Sequence, residues 1–87
     1  MEEVELRVDE FKTKRYFIKG TFILHREDGP AVEHTNGYKV WYQYGKRHRL
    51  DGSAIEWADG YKVFWIYGKL IPNVNSIEEA LIKSLIE

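Results

Sequence analysis

The chain is 87 residues long, with a formal net charge of −1, no cysteine and 15% aromatic residues. That length makes one small domain, and the missing cysteines exclude a disulfide framework or a thiolate metal site. Stability has to come from dense aromatic packing or from self-association.

The near-neutral charge is unevenly spread. Residues 1–10 set five acids against Arg7, residues 11–50 set nine Lys/Arg against three acids, and residues 51–87 set three lysines against six acids. The N-terminal MEEVELRVDE has no basic leader and no apolar run. No stretch reaches the roughly 18 apolar residues of a membrane span. The expectation is a soluble, cytoplasmic protein with no membrane partner.

Val4, Leu6 and Val8 alternate with Glu5 and Arg7, which predicts a half-buried strand. Asp9-Glu10 turns the chain, and Phe11 to Gly20 begins a second strand. A 23-residue unit then occurs twice in tandem, His25 to Arg47 and His48 to Leu70. The pairs His25/His48, Arg26/Arg49, Asp28/Asp51, Gly29/Gly52, Ala31/Ala54 and Glu33/Glu56 superimpose, as do both GYKV and both YGK segments. A charged motif that recurs at a repeat period is more often a builder of the repeat than a site of chemistry. The stretch Arg15 to Gly20 lies over Val40 to Gly45 at an offset of 25 rather than 23. Residues 3–24 therefore read as a degenerate N-terminal capping unit.

Within each unit Asp28-Gly29 and Asp51-Gly52 are turn dipeptides, followed by short strands at Ala31 to His34 and Ala54 to Trp57. Asn36-Gly37 and Asp59-Gly60 predict two-residue type I′ hairpin turns, and the return strands run Tyr38 to Tyr44 and Tyr61 to Tyr67. Gly45 and Gly68 end them, so one hairpin per unit is expected. Pro72-Asn73-Val74-Asn75 breaks the pattern, and Ser76 to Glu87 reads as a helix. Ser76 and Glu79 form its capping box, and Ile77, Ala80, Leu81, Ser84 and Leu85 form one face widened by Ile82 and Ile86. The whole chain, 1–87, is thus expected to be mainly β. The architecture is an antiparallel sheet of tandem β-hairpin repeats with one C-terminal α-helix.

The G-Y-K-V-(W/F)-(Y/W)-x-Y-G-K core (Gly37 to Lys46, Gly60 to Lys69), with its HR(E/L)DG(P/S)A head, resembles the bacterial and phage variant of the MORN repeat. The resemblance covers residues 25–71 well and 11–24 weakly. It implies a binding or scaffolding surface rather than an enzyme. Ser53 departs from the pattern, standing where the first unit has Pro30.

The His-Arg-x-Asp heads could suggest a metal or acid/base site, but zinc or non-haem iron needs three or four convergent ligands. The structural reading, an Arg–Asp pair and an Asp-capped turn joining hairpins, is preferred. No catalytic residue, metal ligand or cofactor is assigned. Asp28, Gly29, Asn36, Gly37, Asp51, Gly52, Asp59 and Gly60 are assigned to turns.

Lys39, Trp41, Tyr42, Tyr44, Lys46, Arg47 and Arg49 form the candidate partner-binding set, because Tyr, Trp and Arg dominate interface hot spots. The expected function is non-enzymatic protein binding, with homodimerisation through open sheet edges. By analogy with the family variant, the partner would be a host nuclease or defence protein inhibited by a phage or mobile element, acting in the host cytoplasm. The alternative is single-stranded nucleic-acid or nucleotide binding, with bases on Tyr42 or Trp65 and phosphates on Lys39, Arg47 and Arg49. The copies differ at His34/Trp57, Gln43/Ile66 and Glu27/Leu50. That difference predicts a second copy buried under the helix and a first copy that presents the working surface.

Overall fold

The computed structural model describes residues 2–86 and is mainly β with one C-terminal helix, as the periodicity predicts. Strands β1 (Val4–Val8) and β2 (Lys14–Ile18) pair antiparallel, from Val4 opposite Ile18 to Val8 opposite Lys14. Asp9 closes their turn. One carboxylate oxygen accepts the N–H groups of Phe11 and Thr13, and the other accepts from Arg15 at 2.9 Å.

The chain continues through β3 (Val32–Glu33), β4 (Lys39–Val40), β5 (Tyr42–Gln43), β6 (Lys46–Arg47), β7 (Ile55–Glu56), β8 (Lys62–Ile66) and β9 (Lys69–Ile71) to α1 (Ile77–Ile86). The main sheet has the order β1-β2-β3-β4-β7-β8-β9, and β5-β6 form a separate two-stranded sheet.

Each 23-residue unit contains two hairpins, where one was expected. The first is closed by His34 N–H to the Tyr38 carbonyl, with Gly37 N–H returning to the His34 carbonyl. Trp57, Tyr61 and Gly60 repeat both bonds. Only the glycines take positive φ here, 96° at Gly37 and 92° at Gly60. The loop is therefore a three-residue turn ending in a left-handed glycine, not the two-residue type I′ turn expected at Asn36-Gly37 and Asp59-Gly60. The Asn36 and Asp59 side chains still act locally, accepting from the N–H of Tyr38 and Tyr61.

The second hairpin turns at Tyr44-Gly45 and Tyr67-Gly68, with φ of 50° at each tyrosine and 80° at each glycine. Two successive positive φ values are the type I′ signature, so Gly45 and Gly68 reverse the chain instead of merely ending a strand.

The N-terminal strand carries the same outward bonds at the offset of 25. Tyr16 N–H donates to Ala31 and Trp41 N–H to Ala54, both at 2.8 Å. His25 N–H in turn donates to Tyr16, and His48 N–H to Trp41.

Apolar packing falls into two clusters. Val32, Val40 and Ile55 are buried with Leu24, Tyr38, Tyr42, Val63 and Trp65 around them. Phe64, Ile66, Ile71 and Ala80 form the other, against Val74, Ile77 and Leu81. The helix therefore docks on the second unit. Its first turn is capped as expected, with Glu79 N–H donating to the Ser76 hydroxyl at 3.1 Å.

Docking ends early, however: Ile82, Leu85 and Ile86 are 62%, 85% and 77% exposed, although they belong to the predicted apolar face. The short β8–β9 hairpin offers enough area for the first half of the helix only. Of the three copy differences, Ile66 is buried at 7%, whereas Trp57 and Leu50 stay 38% and 49% exposed. The predicted burial of one face of β1 also fails, because Val4, Leu6 and Val8 all stay exposed at the sheet edge. No helix among the described residues is long and apolar enough to cross a membrane.

Candidate interaction site on the histidine–tyrosine turns

The recurring head builds a turn from its buried parts outward. His25 and His48 are 1% and 4% exposed. Each accepts at Nδ1 the backbone N–H of the tyrosine 19 residues later, Tyr44 at 3.0 Å and Tyr67 at 2.8 Å. An accepting Nδ1 puts the ring proton on Nε2, which assigns a neutral tautomer. The tyrosine rings fold back onto the same imidazoles, with centroids 4.3 Å and 4.0 Å apart. Burial holds the His48 pKa below its ordinary value of 6.5.

The arginines tie each turn to the preceding strand. Arg26 lies 4.0 Å over the Tyr16 ring and Arg49 lies 3.9 Å over Trp41. Arg49 also donates to Asp51, to the Ser53 carbonyl and to Glu56, at 2.7, 3.0 and 3.0 Å. Arg26 repeats the pattern with Asp28, the Pro30 carbonyl and Glu33. The hydrogen bond from Arg49, reinforced by its charge, pulls the Asp51 pKa below the ordinary carboxylate range.

Gly29 and Gly52 leave room for this contact. A Cβ at either position would stand 2.9 or 2.8 Å from the guanidinium carbon of Arg26 or Arg49. The heads are thus structural joints, and among the described residues no group of three or more His, Asp or Glu side chains could hold a metal ion.

The seven candidate partner-binding residues do not form one surface. Trp41 lies under Arg49, while Tyr42 packs with the Val32–Val40–Ile55 cluster and Arg47 sits 4.9 Å over Trp65. Strand alternation puts the two groups on opposite faces. Lys39 stands in register between Glu33 and Glu56. The three cations that a phosphate would need, Lys39, Arg47 and Arg49, therefore do not converge.

Tyr44 and Lys46 do meet, at the turn tips. They line a cleft of about 260 Å³ with Gln43, His48 and Tyr67. Tyr44 is 57% exposed and Tyr67 is 70% exposed. Of the cleft-lining residues, Gln43, His48 and Tyr67 lie outside the partner-binding set chosen from the sequence; for the histidine and tyrosine a signal was present. The identical 19-residue spacing of His25–Tyr44 and His48–Tyr67 is the signal that could have found them.

Neither the protein-family models, nor the curated proteins, nor the solved structures contain a match to this chain.

Proposed function

We propose that this protein is a non-enzymatic protein-binding module of MORN-like repeat organisation, and that Tyr44 and Tyr67 are its principal recognition residues. One observation carries the reading: two strongly exposed tyrosines are held in the left-handed backbone region by bonds to buried histidines. A non-glycine residue in that region is disfavoured by about 1–2 kcal/mol. Backbone strain kept at an exposed aromatic favours a recognition role. Rings already packed against imidazoles lose little freedom on binding, and tyrosine supplies large, amphipathic contact area.

The test uses immobilised wild-type protein and the Tyr44→Asn/Tyr67→Asn variant as parallel baits in extract of the native host. Asparagine tolerates positive φ, so the turns survive while the rings are lost. A protein retained by the wild type and released by the variant is the expected outcome. Equal retention by both removes the tyrosines from the reading.

Self-association is a second reading, favoured by the aliphatic face of β1. Val4, Leu6 and Val8 are 42%, 46% and 50% exposed on an edge strand, and Phe11 in the turn that follows is 74% exposed. Exposed apolar groups of this kind mark interaction surfaces. Sedimentation of the 10.3 kDa chain should then show dimers that Leu6→Lys dissociates. A wild type that stays monomeric at about 100 μM, where any dimer of micromolar Kd is populated, ends that reading.

A further inference from the structure

Four of the five arginines lie over aromatic rings, and three of those four are finished by an acid. Arg7 lies 4.3 Å over Phe17 and meets Glu5 at 3.2 Å. Arg26 lies over Tyr16 and meets Asp28 at 3.0 Å, and Arg49 lies over Trp41 and meets Asp51 at 2.7 Å. Arg15 is held by Asp9. Arg47 has its ring, 4.9 Å away on Trp65, but meets no carboxylate among the described residues.

The Arg47 Nε is buried without a hydrogen-bond partner, and so is the indole Nε1 of Trp65. Buried donors without acceptors are rare, and each asks for a physical reason. Both residues wall a cleft of about 340 Å³ with Tyr42, Gly45, Lys46 and Gly68. No acid lies in the hairpin 42–47 or in the neighbouring turn 65–70, which bring Lys46, Arg47 and Lys69 instead. Lys46 packs along Gly68, where an added Cβ would stand 3.4 Å from its Cδ. The Trp65 ring restrains the guanidinium, so little freedom is lost when its fork closes on two carboxylate oxygens.

We propose that this cleft takes a glutamate or aspartate side chain from an acidic segment of the partner protein, with Arg47 as the fork and Lys46 as the second charge. The molecule supplies the precedent, since each of its other ring-bound arginines is closed by a carboxylate. Lys39 stands between Glu33 and Glu56, and Arg49 is held by Asp51 and Glu56. Those two residues therefore do not extend the cleft into a track of cations for a nucleic-acid backbone. Lys46 also borders the cleft of Tyr44 and Tyr67, so the acid stands beside the group that the tyrosines hold. The proposal rests on the protein-binding reading and names the partner's chemistry, but it does not need the tyrosine rings.

The test follows the Arg47 Nε–H and Trp65 indole N–H signals of the full-length protein by NMR. The probes are end-blocked Ala-Glu-Glu-Ala, end-blocked Ala-Gln-Gln-Ala and inorganic phosphate, all at one ionic strength. At about 5 mM, where weak binding is visible, the glutamate peptide is expected to shift both signals. It should bind roughly fivefold or more tighter than the glutamine peptide. Arg47→Gln should abolish that difference. If Arg47→Gln does not fold, Lys46→Gln, which leaves the contact with Trp65 in place, should narrow it. Tyr44→Asn/Tyr67→Asn should keep the shifts, so the acid site and the tyrosines fail separately. Equal affinity for both peptides, shifts confined to other regions, or an unchanged difference in the folded variants would each overturn the proposal. So would phosphate binding as tight as the glutamate peptide, or shifts that grow with protein concentration without peptide.

Discussion

The imidazole of His48 does two jobs in one turn, accepting the Tyr67 N–H and supporting the Tyr67 ring. Accepting at Nδ1 needs the neutral form. The unfolded imidazole protonates at its ordinary pKa of 6.5, while burial keeps the folded one below that value. Between the two pKa values the unfolded chain holds the extra proton, so stability falls as pH drops below 6.5 and levels off below the folded pKa. Thermal melts should show this loss in mildly acidic buffer. His48→Asn, which keeps an acceptor near the Nδ1 position without the titration, should flatten it; an undiminished loss would assign the effect elsewhere. At the facing residue, Gly52→Ala forces the Arg49 guanidinium off Trp41, because the added Cβ would lie 2.8 Å from its central carbon. Loss of that stack and its ion pairs should cost about 1–2 kcal/mol in denaturant unfolding.

Among the elements, the hairpins show where local sequence signals stop. Asn36-Gly37 and Asp59-Gly60 marked real reversals, but their loops take three residues because only the glycine adopts positive φ. The type I′ turns fall at Tyr44-Gly45 and Tyr67-Gly68, which local propensity does not favour. Their conformation comes from the histidine 19 residues earlier, a tertiary contact that turn statistics do not contain.

The helix divides in the same way. Its cap and existence were legible from Ser76 and Glu79, whereas the length of its docked face depends on the area of the hairpin beneath it. Ala80 is fully buried, so Ala80→Leu should overpack the site and destabilise the fold by about 1–3 kcal/mol. Leu85 is 85% exposed, so Leu85→Ser should stay within about 0.5 kcal/mol of wild type. Equal effects at the two positions, read from urea unfolding, would contradict the docking geometry.

Over the whole molecule, the sheet architecture and the two-residue offset of the N-terminal strand were readable because every unit repeats the same bonded positions. The proposed recognition surface was not. The set from Lys39 to Arg49 was chosen by residue type along one strand and its return. Alternation then sent Trp41 and Tyr42 to opposite faces, while Arg49 was taken up by Asp51 and Glu56. Tyr44 and Lys46 stand together at a turn tip, joined by Tyr67 from the next unit, while Tyr42, Lys46 and Arg47 line a second cleft with Trp65.

On the proposed reading, Tyr44 and Tyr67 serve recognition while contributing little net stability. Equilibrium urea denaturation of wild type and Tyr44→Asn/Tyr67→Asn at neutral pH separates this from a structural role. Relief of left-handed strain should offset the lost ring contacts, leaving the two unfolding free energies within about 1 kcal/mol of each other. A loss of about 3 kcal/mol or more, comparable to truncating a core aromatic, would make the tyrosines part of what holds the fold and contradict the claim.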